Sequence, residues 1–275
     1  MTVTASIDKK LTGYEISGYD DFTVVIPAYN ESHTIRDLVE RTLLQIKHVI
    51  VVDDGSTDGT ADALKGLDIT LLRHPVNEGK ASSLWDGMQE ARKRAIQGIV
   101  TLDGDGQHLP EDIPRLLQYF KQTPDTIVIG SRLHEKANIP RARYNANRFA
   151  NFWIAWAAGY PIIDSQSGFR IYPADLLDKV RVAHHRSSGF VFESEILIEA
   201  GRQGITSLPI PISAIYMPQA RASHFRPVVD IARIVRMVAW KLISRGFYLQ
   251  GLRRSLRKDG EKHAAPFESI AESKK

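Results

Sequence analysis

Between Phe22 and Ile129 the chain alternates short β-branched runs with segments of helical periodicity, and that alternation leaves few folds open. The strand candidates are Phe22–Ala28 (FTVVIPA), Ile46–Val52 (IKHVIVV), Ile69–Arg73, Gly98–Leu102 and Thr126–Ile129. Between them, a helix capped by Asn30 or Ser32 runs to Leu44, with Ile35, Leu38, Val39 and Leu43 at helical spacing. Further helices are expected over Thr60–Leu67, over Ala81–Ile96 and from Pro110. This order predicts an α/β domain with a Rossmann-like, mostly parallel sheet flanked by helices. Its polar clusters (Tyr29-Asn30-Glu31, Asp53-Asp54, Asp103 to Gln107, Ser131-Arg132) each follow a strand. Open α/β sheets bind ligands there, outside the carboxyl ends of their strands. After Tyr216 the alternation stops and a helical, basic extension takes over from Pro227 to Arg245. The expected organisation is an N-terminal extension over 1–20, the α/β domain over 21–216, a basic amphipathic segment over 217–258, and a tail over 259–275 of disordered composition.

Composition narrows the partners. The 275 residues include no cysteine, which excludes a disulfide framework, a thiolate metal site and a cysteine nucleophile. The first twenty residues contain no apolar core of a secretory leader. The longest apolar stretch, Phe152 to Ile163, is broken at Gly159-Tyr160-Pro161 and falls short of the roughly 18 residues of a spanning helix. A cytoplasmic protein, peripheral at the inner face of a membrane, is the expectation. The formal charge of +4 is unevenly placed: Arg221 to Lys258 holds ten basic residues against one acid, Asp230. That end suits an anionic membrane surface. It does not suit nucleic acid, because aromatics are not interleaved with the basic residues and no nucleic-acid module is present.

The motifs point to diphosphate chemistry. Asp103-Gly104-Asp105, with Gln107 two residues on, crowds two carboxylates that repel unless a cation lies between them. Hard oxygen donors select Mg²⁺ or Mn²⁺. A calcium loop fails, since His108 stands where that loop needs glycine and Pro114 where it needs glutamate. Asp53-Asp54-Gly55-Ser56-Thr57-Asp58-Gly59-Thr60 reads as a tight turn with a helix cap. It leaves the Asp53 carboxylate free for a base N–H or ribose hydroxyls. Asn77-Glu78-Gly79-Lys80 precedes a helix and offers a lysine to a phosphate. No Walker A, G-x-G-x-x-G or G-x-S-x-G sequence occurs. The nine histidines read mostly as surface residues, and Trp153 with Trp156 as packing.

In order, V-I-P-A-Y-N-E, V-V-D-D-G-S-T-D-G-T, N-E-G-K, L-D-G-D-G-Q-H and S-G-F-R resemble a family 2 glycosyltransferase of the GT-A fold, over about Phe22 to Phe225. Within it the resemblance is to polyprenyl-phosphate sugar synthases of the dolichyl-phosphate mannose type. Their motifs stand here as Gly130-Ser131-Arg132, Asp164 to Arg170, and Arg221-Ala222-Ser223-His224.

The resemblance implies that Pro27, Tyr29, Glu31, Asp53 and Asp103 hold a nucleotide sugar, with Lys80, Arg221 and Ser223 on the donor side. It implies a metal on Asp103, Asp105 and Gln107, and acceptor contacts from Arg132, Arg143, Asn147 and Ser167. Asp105 and Arg221 would be catalytic in a displacement with inversion. A lipid phosphate acceptor is already ionised and needs no base, whereas a hydroxyl needs a carboxylate. Glu195 fits that family position better than Glu193. Two departures stand out: His224 replaces the usual lysine, and the transmembrane helices of some relatives are absent. The apolar stripe Val228, Ile231, Ile234, Val235, Val238, Leu242 and Ile243 is expected to pack on the domain, and the basic tail to meet a membrane. A non-catalytic scaffold is disfavoured because Asp53, Asp103 and Asp105 are all present. Donor base, sugar, acceptor identity and oligomeric state are left open.

Overall fold

The computed structural model describes residues 19–132, 141–183, 189–212 and 227–256. Its centre is a seven-stranded sheet ordered β3-β2-β1-β4-β6-β5-β7. The strands are β1 (Phe22–Ala28), β2 (Val49–Asp53), β3 (Thr70–Arg73), β4 (Gly98–Thr101), β5 (Ile127–Ser131), β6 (Arg170–Pro173) and β7 (Ser207–Pro211). β1, β2, β4 and β5 are buried along their whole length, as strands covered on both faces must be.

All pairings are parallel except those of β6, which runs antiparallel to β4 and β5. The repeating alternation did not foretell that reversal. Arg170, the first residue of β6, pairs with Thr101, the last of β4, so the chain enters β6 at the edge where β4 ends. Entering there, it can only run back. The reversal carries the loop before β6 to the carboxyl edge, beside the Asp103 motif.

Two apolar layers cover the sheet. On one face, α1 (Ile35–Leu43) and α4 (Ile113–Gln122, after a 3₁₀ turn at Pro110–Asp112) pack on β1, β2 and β4. In α1 the buried residues are Ile35, Leu38, Val39 and Thr42. Thr42 takes the inward place at i+7, and its hydroxyl donates to the Leu38 carbonyl oxygen (2.7 Å). The short α2 is Thr60–Ala63, ending well before the expected Leu67. On the other face lie α3 (Lys80–Ala91), α5 (Arg141–Ala158), α6 (Leu176–Lys179), α7 (Gly189–Arg202) and α8 (Pro227–Ile243). α7 is buried from Val191 to Ala200, the mark of a helix enclosed on every side. After α8, a turn at Gly246–Tyr248 leads into α9 (Leu249–Ser255).

α8 divides the apolar stripe. Ile234, Val238 and Leu242 are buried in the core with Met237, whereas Val235 and Ile243 are exposed. The side chains of Val228 and Ile231 lie outside the described residues. No helix among the described residues is long and apolar enough to cross a membrane.

Candidate active site

Three loops meet at the carboxyl ends of β1, β2 and β4, tied mainly by backbone amides donating to side-chain oxygens. The Asn30 amide donates to Ser56 Oγ (2.9 Å), the Thr57 amide to Asn30 Oδ1 (2.9 Å), and the Glu31 amide to Thr60 Oγ1 (2.9 Å). Asp58 accepts from the amides of Ser32 and Thr60, both at 3.0 Å. The S-T-D-G-T run thus zips the Tyr29–Glu31 loop to the end of β2, which is a different task from capping α2. Asn30 adopts φ 55°, a conformation asparagine tolerates better than most residues.

Asp53 is fully buried and is not free, contrary to the expectation from sequence. Its Oδ1 accepts the Ser56 amide (3.0 Å) and its Oδ2 pairs with Arg73 Nε (3.0 Å). Asp54 fixes the N-E-G-K loop, accepting the amides of Glu78 and Gly79 at 2.8 Å each, with His74 Nδ1 also at 2.8 Å. That grip places Lys80 at the first position of α3.

Lys80 Nζ lies 2.6 Å from Asp103 Oδ1 and 3.3 Å from Glu193 Oε1. Burial works against this ammonium, but Asp103 and Glu193 outweigh it and raise its pKa. Burial likewise opposes ionisation of Asp103, and Lys80, with help from His108 and Arg132, holds that carboxyl down at about 2. Asp105 is pushed the other way, first by burial and then by the Asp103 charge. Its Oδ1 accepts the Gln107 amide (3.0 Å).

Two glycines permit the approach of these loops. A Cβ on Gly104 would fall 2.8 Å from the Pro27 carbonyl oxygen, and one on Gly168 would fall 2.5 Å from Asp103 Oδ1. The S-G-F-R loop therefore lies directly on Asp103, and Thr101 Oγ1 donates to the Gly168 carbonyl oxygen (2.8 Å). Arg170, fully buried, holds this loop from beneath. Its guanidinium donates to the carbonyl oxygens of Ser167 (2.7 Å), Ser165 (2.8 Å) and Glu193 (2.9 Å), and to Tyr172 Oη (3.1 Å). One arginine thus joins the loop to α7.

Several expected residues stand apart from this cluster. Glu195 is fully buried and pairs with Lys241 of α8 at 2.7 Å. Glu193 is the glutamate that reaches Lys80, and burial pushes its carboxyl pKa up. Its Oε2 is buried with no hydrogen-bond partner among the described residues. Ser167 is buried, and its hydroxyl donates to the Gly130 carbonyl oxygen (2.6 Å), stapling the loop to β5. Arg132 follows β5, half-buried, and Asn147 sits half-buried on α5. Arg221, Ser223, His224 and the side chain of Arg143 lie outside the described residues. Sequence reasoning missed Arg73 and Arg170. The histidines read mostly as surface residues, and His108 is an exception: it is buried against Phe169, 5.5 Å between ring centroids, and burial pushes it down to about 3.

The pattern of the family described as Glycosyl transferase family 2 matches residues 23–181, which span these loops. The chain belongs to that family. This glycosyltransferase therefore moves a sugar from a nucleotide-sugar donor on a GT-A scaffold.

It is 28% identical over 240 residues to UDP-N-acetylglucosamine--dolichyl-phosphate N-acetylglucosaminyltransferase of Methanococcus voltae, covering 80% of this chain and 95% of that one. It is 29% identical over 201 residues to polyprenol monophosphomannose synthase of Mycolicibacterium smegmatis, covering 69% and 76%. In fold it is similar to glucosyl-3-phosphoglycerate synthase of Mycobacterium tuberculosis, solved with Mn²⁺, UDP-glucose and phosphoglyceric acid. That likeness has a TM-score of 0.58 at 22% identity, covering 84% of this chain and 81% of that one.

Proposed function

We propose that this glycosyltransferase moves a hexose from a GDP-mannose or UDP-glucose type donor to a phosphate carried on a polyprenyl or related lipid, at the cytoplasmic face of a membrane. The observation that carries this reading is the position of Asp103 and Asp105. They lie between the Tyr29–Glu31 and Asp53 loops on one side and the Ser165–Arg170 loop on the other. Curated relatives matching most of the chain carry dolichyl-phosphate or polyprenol monophosphate transfer in their names, which supports a lipid phosphate acceptor.

In this reading Pro27, Tyr29 and Glu31 line the nucleoside side, Asp53 braces it through the Ser56 amide and Arg73, and Arg221 and Ser223 would serve the diphosphate. The start of α3 faces the same diphosphate, where a helix N-terminus and Lys80 both favour anions. A divalent cation, Mg²⁺ or Mn²⁺, would fit the Asp103/Asp105 pair with Gln107, because burial and then the neighbouring Asp103 charge raise the pKa of Asp105, and a cation would offset both. Among the described residues no three His, Asp or Glu side chains form a metal cage. Once bound, such an ion offsets the charge that develops on the leaving diphosphate.

Arg132 and Asn147 would meet the acceptor phosphate, with Arg143 assigned to it by the family resemblance alone. An acceptor phosphate oxygen forms the bond to the anomeric carbon while the bond to the diphosphate breaks, and the nucleoside diphosphate leaves with the electron pair. A phosphate monoester with a second pKa of about 6 is already ionised at neutral pH, so no protein base is required.

A hydroxyl acceptor is the second reading, favoured by the unpartnered Oε2 of Glu193. Glu193, in place of Glu195, would then take the proton.

The test offers the purified protein GDP-mannose, UDP-glucose and related donors with Mn²⁺ or Mg²⁺, with and without a short polyprenyl phosphate. Metal-dependent transfer to the lipid phosphate, abolished in Asp105→Asn and retained in Glu193→Gln, is the expected result. Transfer to a hydroxyl acceptor alone, lost in Glu193→Gln, would replace it with the second reading.

A further inference from the structure

Eight of the twelve large hydrophobic side chains exposed among the described residues lie on α5 or between Val235 and Leu256. Phe149 and Phe152 stand on α5, Trp240 and Ile243 near the end of α8, and Phe247 and Leu249 where α8 gives way to α9. Trp240 is 69% exposed, although tryptophan is highly buried on average.

The elements that carry these residues pack on one another. α8 and α9 both lie against α5. The Phe152 ring is 5.4 Å from Trp153 and 6.3 Å from Trp156. Trp156 Nε1 in turn donates to the carbonyl oxygens of Phe247 (3.0 Å) and Tyr248 (3.2 Å). Phe247 and Tyr248 both have positive φ, 63° and 38°, which bulky residues rarely adopt. Tyr248 fits closely over Gly251, where an added Cβ would lie 2.1 Å from its ring, and Arg245 covers it at 4.3 Å. The turn so held leaves Phe247 exposed.

Charge identifies what this surface meets. Arg148, Arg236, Arg253 and Arg254 are exposed on these same elements, and Arg245 in the turn between α8 and α9. No carboxylate occurs among their described side chains. Exposed aromatics beside arginines, with no acid among the described side chains of these helices, suit the headgroup region of an anionic bilayer, where rings enter the interface and guanidinium groups meet phosphates.

We propose that the surface formed by α5, α8 and α9 docks on an anionic lipid bilayer, with Trp240, Phe247 and Leu249 entering the interface. The inference deepens the lipid-acceptor reading and rests on it for its purpose. Asn151 of α5 accepts the Ser165 amide (3.0 Å) and donates to the Ile163 carbonyl oxygen, tying the docking helix to the loop beside Asp103.

The test is sedimentation of the full chain with vesicles of phosphatidylcholine alone and of phosphatidylcholine with phosphatidylglycerol, at low and high salt. Sugar transfer to a short, water-soluble polyprenyl phosphate is measured in parallel. Expected are binding to the anionic vesicles that salt weakens, and a blue shift of tryptophan fluorescence that Trp240→Phe reduces. Phe247→Ser, or Arg253→Gln with Arg254→Gln, should weaken binding by about tenfold or more while transfer to the soluble acceptor is kept. Equal binding to both vesicle types by wild type and variants, or no binding, would overturn the proposal. So would self-association that Trp240→Ser abolishes, since the surface would then serve a second copy of the chain. Vesicle binding without transfer to any lipid phosphate upholds the surface and removes the proposed acceptor; transfer without vesicle binding does the reverse.

Discussion

At the carboxyl edge of the sheet, buried or looped carboxylates are held largely by backbone amides. Asp53 takes the Ser56 amide, Asp54 those of Glu78 and Gly79, Asp58 those of Ser32 and Thr60, and Asp105 that of Gln107. On the flank of α7 and α8, buried carboxylates are held by other charges. Glu195 and Glu199 both meet Lys241 Nζ, at 2.7 and 2.5 Å, and Glu199 also meets Arg202 Nη1 at 2.7 Å. Amides stay in place once a loop is folded, and at this edge cations are added to two of the carboxylates, Arg73 to Asp53 and Lys80 to Asp103. A side-chain ion pair fastens two helices but is lost entirely when one partner is removed. The first region is built to hold a site and the second to hold a helix.

The sharpest way to break that contrast is Lys241→Met. It takes this cation from buried Glu195 and leaves Glu199 with Arg202 alone, a change of the kind that costs about 3–5 kcal/mol when a buried pair is broken. Because Lys241 keeps some exposure, the lower end is expected, about 3 kcal/mol by urea unfolding. Adding Glu195→Gln should restore part of the loss. Donor binding, measured where both proteins remain folded, should be unchanged. A loss of donor affinity equal to the loss in stability would show that the flank and the site are one unit.

Gly168→Ala reverses the pattern. The new Cβ would lie 2.5 Å from the Asp103 carboxylate, so that carboxylate or the S-G-F-R loop must shift. Displacements of about 1 Å in a reacting group cost on the order of 100-fold in rate. The expected outcome is a fall of that size in transfer activity, with unfolding by urea altered far less than in Lys241→Met. Full activity in Gly168→Ala would mean that Asp103 does not need its present position.

This contrast also explains what the sequence disclosed. Where the amide lies within a few residues of its carboxylate, as Ser56 of Asp53, Thr60 of Asp58 and Gln107 of Asp105, the loop at the strand end could be read from D-D-G-S-T-D-G-T and D-G-D-G-Q. The amides of Ser32, Glu78 and Gly79 reach their carboxylates from 24 to 26 residues away, and no local pattern announces them. Even so, Asp53 was expected to be free, because Arg73 reaches it from a neighbouring strand twenty residues on. The Lys241–Glu199 contact joins residues 42 apart, and no local pattern announces it. Glu193 and Glu195 show the difficulty most plainly. Two residues on a helix are about 200° apart, so they face opposite sides. One reaches Lys80 and the other α8. α7 is buried on all sides from Val191 to Ala200, so no apolar stripe could say which glutamate faces the site. The antiparallel β6 escaped for a similar reason: its direction is set by where the preceding loop enters the sheet.

The smallest expected effect probes the amide-held side alone. Slight burial works against ionisation of Asp58, and hydrogen bonds from the Thr60 hydroxyl and the Ser32 and Thr60 amides outweigh it, holding the carboxyl down at about 2. A folded-state pKa below the unfolded value of about 3.9 means that the unfolded chain binds the proton first as pH falls. The stabilisation is therefore complete above about pH 4 and is lost as pH drops toward 2. Asp58 is exposed, so solvent screening limits its worth to no more than about 1 kcal/mol. In Asp58→Asn, stability should fall by up to that amount at pH 7, and the difference from wild type should vanish near pH 2. A difference that persisted unchanged at pH 2 would mean that the Tyr29–Glu31 loop is fastened by the shape of the side chain and not by its charge.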